Sequence, residues 1–160
     1  MNRMMILPAA IATVAALIVA TLGATMTDLG PWYQALEKPG WNPPDVLFPT
    51  GWTVIYALIT IAGITAWRAA PTPAKAEWVI ALFALNGFLN ISWSLIFFRM
   101  QRPDWAFYEL VVLWLSILVI IVFCGRFSRL ASGLLLPYLA WVSFAGALNW
   151  AVVQLNAPFG

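Results

Sequence analysis

Five long stretches of this chain carry almost no charge, and no other feature restricts its fold so strongly. Met4 to Thr27 is uncharged, as are Val46 to Trp67 between Asp45 and Arg68, and Trp78 to Phe98 between Glu77 and Arg99. Trp105 to Gly125 is interrupted only by Glu109, and Leu130 to Leu155 is again uncharged. Each is long enough to cross a hydrocarbon core, which takes about 20 apolar residues in a helix. Hydrophobic residues make up 63% of the 160 positions and charged residues 9%, against roughly one-quarter charged in a soluble domain. The chain therefore reads as an all-α integral membrane protein: one domain over 1–160, a bundle of five transmembrane helices at about 5–26, 46–67, 78–98, 105–125 and 130–155. The first stretch reads as a retained span rather than a cleaved leader, since it is long and lacks a clear small-x-small cleavage site. No strand-like alternation and no internal repeat is present, which disfavours an inverted-repeat transporter.

Charge placement sets the expected orientation. With five spans, the amino terminus and the second and fourth loops share a side and carry Arg3, Arg68, Lys75, Arg126 and Arg129, while the other side has Lys38, Arg99 and Arg102. Five against three places the amino terminus in the cytoplasm, in a bacterial inner membrane, with an outer-membrane location left open. The net charge of +2 is what topology alone demands, so no nucleic-acid partner is implied. A lone Cys124 excludes an intramolecular disulfide and a cysteine cluster. The absence of His removes the usual haem ligand and the commonest zinc ligand. No metal site is expected and no cofactor is required.

From the end of the first span into the second, Trp32 to Tyr56 holds Trp32, Trp41 and Trp52 together with Pro39, Pro43, Pro44 and Pro49. Prolines at that density forbid a continuous helix, so the segment reads as a stiff aromatic loop leading into a helix, and the loop lids a pocket between helices. Polar groups at membrane depth are costly and mark candidate sites. Asn86, Asn90 and Ser94 fall four apart on the third span and form one inward stripe. Trp141, Ala145 and Asn149 repeat that spacing on the fifth, and Trp52 and Tyr56 on the second. Ala12, Ala16, Ala20 and Ala24 make a small-residue stripe on the first, suited to close helix contact. Trp32, Trp67, Trp78 and Trp105 sit near span ends, where interface anchoring accounts for them. Glu109 is expected to be a partly hydrated residue near the interface, with a proton-coupling carboxylate as the sharper alternative.

Several separated motifs then agree. The run WYQALEKPGWNPP followed by Trp52 and Tyr56, the Asn86/Asn90 helix ending in Phe97 and Phe98, and Pro137-Tyr138-Leu139-Ala140-Trp141 with Phe144-Ala145 and Leu148-Asn149 strongly resemble the translocator protein family, which includes the bacterial tryptophan-rich sensory proteins. The resemblance covers nearly the whole chain. It implies a five-helix membrane bundle, usually a homodimer, acting as a receptor or sensor. The ligands it implies are porphyrins, protoporphyrin IX above all, and benzodiazepine- or isoquinoline-type molecules, held in a pocket beneath the first loop. Carried over residue by residue, the implied ligand-binding positions are Tyr33, Pro43, Trp52, Asn90, Ser94, Trp141 and Ala145, with Asn149 added by the stripe on the fifth span. A light-dependent breakdown of protoporphyrin IX is also reported in the family. It would make Trp52 and Trp141 the catalytic residues here. Transport of tetrapyrroles or other small hydrophobic molecules is a further alternative. Animal relatives carry a sterol-recognition segment on the last helix; here the corresponding run is LNWAVVQLN, with no basic residue after Arg129, so sterol is a doubtful partner.

Overall fold

The computed structural model describes residues 3–159. The side chains of Arg3 to Ala9 lie outside the described residues, and with them the contribution of Arg3 to the charge count. The described residues form seven α-helices: α1 (Arg3–Met26), α2 (Pro31–Ala35), α3 (Leu47–Ala69), α4 (Pro73–Ser94), α5 (Pro103–Gly125), α6 (Arg129–Leu134) and α7 (Leu136–Asn156). Among the described residues there is no strand. Among the same residues four continuous or nearly continuous helical stretches are long and apolar enough to cross a membrane: Leu47–Ala69, Pro73–Arg99, Pro103–Gly125 and Arg129–Asn156. α1 adds a shorter apolar stretch at Ala10–Met26.

The helix ends follow local chemistry. α4 begins five residues before the expected Trp78, because Thr72 accepts the Lys75 N–H at 3.3 Å and Pro73 occupies the first turn, where its missing donor costs nothing. Lys75 and Glu77 therefore lie in the first turns of α4 rather than in a loop. The expected last span is two helices. Pro137 cannot donate a backbone hydrogen bond, so the chain breaks at Leu135, and Ser128 caps α6 by accepting the Ala131 N–H. The aromatic loop is not all loop either, since Pro31–Ala35 closes one and a half turns of helix.

At its carboxyl end α4 widens into a π-turn over Leu95–Arg99. Adjacent residues on a regular helix point about 100° apart, which would send one of two neighbouring rings outward. The wider turn keeps both Phe97 and Phe98 buried, with ring centroids 4.8 Å apart.

α5 is the centre of the bundle and packs against α4, α6 and α7; α1 packs on α3 and α4. The core is made of Ala62, Ala66, Leu113, Ile117, Ile120, Cys124, Leu135, Tyr138 and Val142. The outer face of α5 is as apolar as the inner one, with Val112, Val119 and Val122 exposed. Such a surface has no aqueous rationale and is what a lipid-facing helix requires.

Candidate functional site

A small residue makes room for the central ring. Gly51 sits in the first turns of α3, and a Cβ placed there would lie within 3.0 Å of three atoms of the Trp141 indole. Trp141 can therefore lie directly over the α3 backbone. Its ring meets Trp52 edge to face at 6.2 Å, and Trp52 stacks on Tyr56 at 5.3 Å. Beneath the α2 loop these rings wall a cavity of about 490 Å³, inside the roughly 300–1,000 Å³ typical of small-molecule sites. Trp93, Phe97, Phe98, Phe48 and Phe144 complete the aromatic wall, and Ala20, Gly23 and Ala24 of α1 form its small-residue side.

Behind the wall runs a hydrogen-bonded polar line. Tyr56 donates its hydroxyl proton to Asn90 Oδ1 at 2.7 Å, and Asn90 Nδ2 donates to the Tyr138 hydroxyl at 3.4 Å. Tyr138 donates in turn to Asn86 Oδ1 at 3.1 Å, and Asn86 Nδ2 to Ser116 at 2.8 Å. Four helices, α3, α4, α7 and α5, are tied by this line in a medium where each unpaired polar group would cost several kcal/mol. A second tie joins Trp93 Nε1 to Asn149 Oδ1 at 3.1 Å, while Asn149 Nδ2 donates to the Pro103 carbonyl at 2.8 Å.

The loop that roofs the cavity is held at two points, near its start and at its middle. Asn156, at the end of α7, accepts the Glu37 N–H at 2.9 Å and donates to the Glu37 carbonyl at 2.8 Å. Arg99 donates to the Thr25 carbonyl at 2.6 Å and pairs with Asp28 at 3.6 Å. Within the loop Tyr33 is buried, with its hydroxyl 3.5 Å from Asp45. Burial, followed by the neighbouring Asp45 carboxylate, pushes the Tyr33 hydroxyl up to about 12. It stays a donor at any physiological pH.

Of the residues singled out from the sequence, Tyr33, Trp52, Asn90, Ser94, Trp141, Ala145 and Asn149 all line this one cavity. Pro43 does not. Asn42 faces the space instead, because the Asn42 N–H turns back to the Pro39 carbonyl at 2.8 Å and its side chain folds onto the Pro43 carbonyl at 3.0 Å. Asn90 is already engaged by two tyrosines, so its amide serves the bundle as well as the cavity. Trp93 was missed although it stands three residues beyond Asn90, a spacing that puts it on the same face. Lys38, Asp45 and the α1 contribution come from the folded loop and helix packing, which carry no local signal.

Glu109 differs from its expectation. α5 starts at Pro103, which puts Glu109 well inside the helix. Both carboxyl oxygens are buried with no hydrogen-bond partner among the described residues. Among the same residues no three His, Cys, Asp or Glu side chains converge on a metal-sized site.

An apolar helical bundle around an aromatic cavity roofed by a clamped loop defines the class, an integral membrane protein with a cavity of small-molecule size. Residues 9–155 match the sequence profile of the TspO/MBR family. The chain belongs to that family. It is 42% identical over 130 residues to the tryptophan-rich protein TspO of Chlorobaculum tepidum, covering 78% of this chain and 79% of that one. It is 34% identical over 137 residues to a tryptophan-rich sensory protein of Cereibacter sphaeroides, covering 86% and 84%. Similarity extends to the human translocator protein, at 31% identity over 126 residues, covering 78% and 75%.

Proposed function

We propose that this protein is a membrane receptor or sensor whose ligand is a flat, largely apolar ring system, a porphyrin such as protoporphyrin IX, bound in the cavity beside Trp52 and Trp141. Benzodiazepine- and isoquinoline-type molecules share the shape and fit the same reading. The observation that carries it is the aromatic wall itself: Trp52, Trp93, Trp141, Phe97 and Phe144 face one space of about 490 Å³. A planar macrocycle gains from such rings by stacking, at about 0.5–1.5 kcal/mol per contact beyond buried area. Without His in the chain, stacking supplies the affinity in place of axial ligation, and free porphyrin is the natural guest. The protein works as five spans, with α6 and α7 together making the fifth, amino terminus cytoplasmic in the inner membrane, and as a homodimer.

The test is a dark titration of protoporphyrin IX into the purified protein, followed by Soret absorbance and Trp quenching. Wild type should saturate, and Trp141→Ala should raise Kd roughly tenfold, the equivalent of about 1.4 kcal/mol. Full-strength binding by folded Trp141→Ala would put the ligand elsewhere.

A second reading, light-dependent porphyrin breakdown, is favoured by one observation, the 6.2 Å contact between the cavity-lining indoles of Trp52 and Trp141. Under that reading the double variant Trp52→Phe/Trp141→Phe keeps dark binding and loses photobleaching. Equal bleaching by both proteins would remove it.

A further inference from the structure

The cavity lining includes two charged side chains, Lys38 and Asp45, both from the roofing loop. Their surroundings differ. Asp45 is approached by the Tyr33 hydroxyl at 3.5 Å, and that hydroxyl retains its proton. Lys38 is half-buried, with its ammonium 4.3 Å from the centroid of the Tyr33 ring. It donates to the Tyr33 carbonyl at 2.8 Å and to the Leu36 carbonyl at 3.5 Å. Among the described residues the salt bridges are Arg99 with Asp28 and Arg102 with Asp104, so no carboxylate neutralises Lys38. An ammonium has three donors and carries a full charge. Two neutral carbonyls leave one donor and that charge to be met by something else at the cavity mouth.

We propose that Lys38 recognises an anionic end of the ligand: the guest is amphipathic, its apolar ring lying against Trp52 and Trp141 and a carboxylate ending on the Lys38 ammonium beneath the loop. This rests on the cavity reading above and deepens it, since it turns a site for flat apolar rings into one that selects acids over their neutral analogues. Tyr33 contributes by position. Its ring supports the ammonium through a cation–π contact, and its hydroxyl faces Asp45, the one lining group that would repel an acid. The selectivity therefore comes from an asymmetry in the loop, with the cation left open and the anion covered.

The experiment compares protoporphyrin IX with its dimethyl ester, titrated in the dark into wild type, Lys38→Met and Lys38→Arg in nanodiscs of neutral lipid. Taking the ratio of Kd between variant and wild type for each ligand cancels any difference in partition into lipid. Lys38→Met should weaken the diacid roughly tenfold, the weight of one charge-assisted hydrogen bond in a part-buried site, and leave the diester unchanged; Lys38→Arg should restore the diacid. Asp45→Asn should tighten the diacid and not the diester. Equal weakening of both ligands by Lys38→Met would make Lys38 a brace for the loop and overturn the proposal while leaving the cavity reading intact. Anionic phosphatidylglycerol in the discs that competes with the diacid in wild type but not in Lys38→Met would assign the cation to a lipid headgroup, and overturn it likewise. Failure of wild type to bind either compound would overturn the cavity reading and this inference together.

Discussion

Trp141 lies over the α3 backbone at Gly51, so close that a single methyl group on Gly51 would overlap the indole ring. The position of this indole in the cavity wall is thus set by the absence of a side chain on the facing helix. Gly51→Ala should force Trp141 out of place. Overpacking at a tight site costs about 1–3 kcal/mol, and porphyrin affinity should fall with it. Thermal unfolding and a dark titration check the two effects; wild-type values of both would show that the ring has room to spare.

Tyr138 is the junction of the polar line, bonded to both Asn86 and Asn90. Tyr138→Phe keeps the ring and leaves two buried amides each short of a partner. The cost is about 1–3 kcal/mol by the usual measure of an unmet buried group, toward the lower end for a bond between membrane helices. For a chain of this size about 1 kcal/mol moves Tm by roughly 2–4 °C. A Tm equal to wild type would mean that the line contributes nothing to holding α4 against α7.

Asn156 clasps the Glu37 backbone from the far end of the chain, with both amide atoms engaged. Asn156→Ala should release the loop. Amide hydrogen exchange over residues 29–45 should accelerate, and porphyrin association and dissociation should both quicken while Kd changes less than either rate. Unaltered exchange in the loop would show that Arg99 and the loop's own contacts suffice to hold it.

Orientation has a direct test as well. Gln34 is exposed on α2, and the native Cys124 is buried, so a cysteine introduced at Gln34 is the reactive thiol. An impermeant maleimide added to intact cells should label Gln34→Cys. Labelling only after the cytoplasmic face is opened would reverse the orientation.

Much of this architecture is legible in the sequence because a membrane helix must satisfy its backbone internally and must be apolar over its length. The uncharged stretches therefore mark α1, α3, α4 and α5 to within a few residues. Boundaries differ where capping outweighs charge, as at Thr72 and Pro73, which start α4 ahead of Lys75 and Glu77, the charges that read as preceding the helix. The stripe Asn86, Asn90 and Ser94 was readable for the same reason of periodicity, and all three are buried. Pro43 and Lys38 were not readable. Which loop side chain faces inward is decided by turns such as Asn42 onto Pro39, and a loop has no repeating period from which to infer a face. The π-turn that buries both Phe97 and Phe98 was equally hidden, since a regular helix predicts that one of them points away.

The central claim is that the space beside Trp52 and Trp141 is where the ligand sits, and filling that space tests it most directly. Ala145 lines the cavity on α7, next to Phe144 and one turn from Trp141. Protoporphyrin IX should be titrated in the dark into wild type and Ala145→Phe, with Tm measured on the same samples. The account predicts saturable binding by wild type and a loss of at least roughly tenfold in the filled variant, whose Tm stays within a few degrees because an added ring in an existing cavity does not overpack a core. Wild-type affinity in a folded Ala145→Phe protein would contradict it.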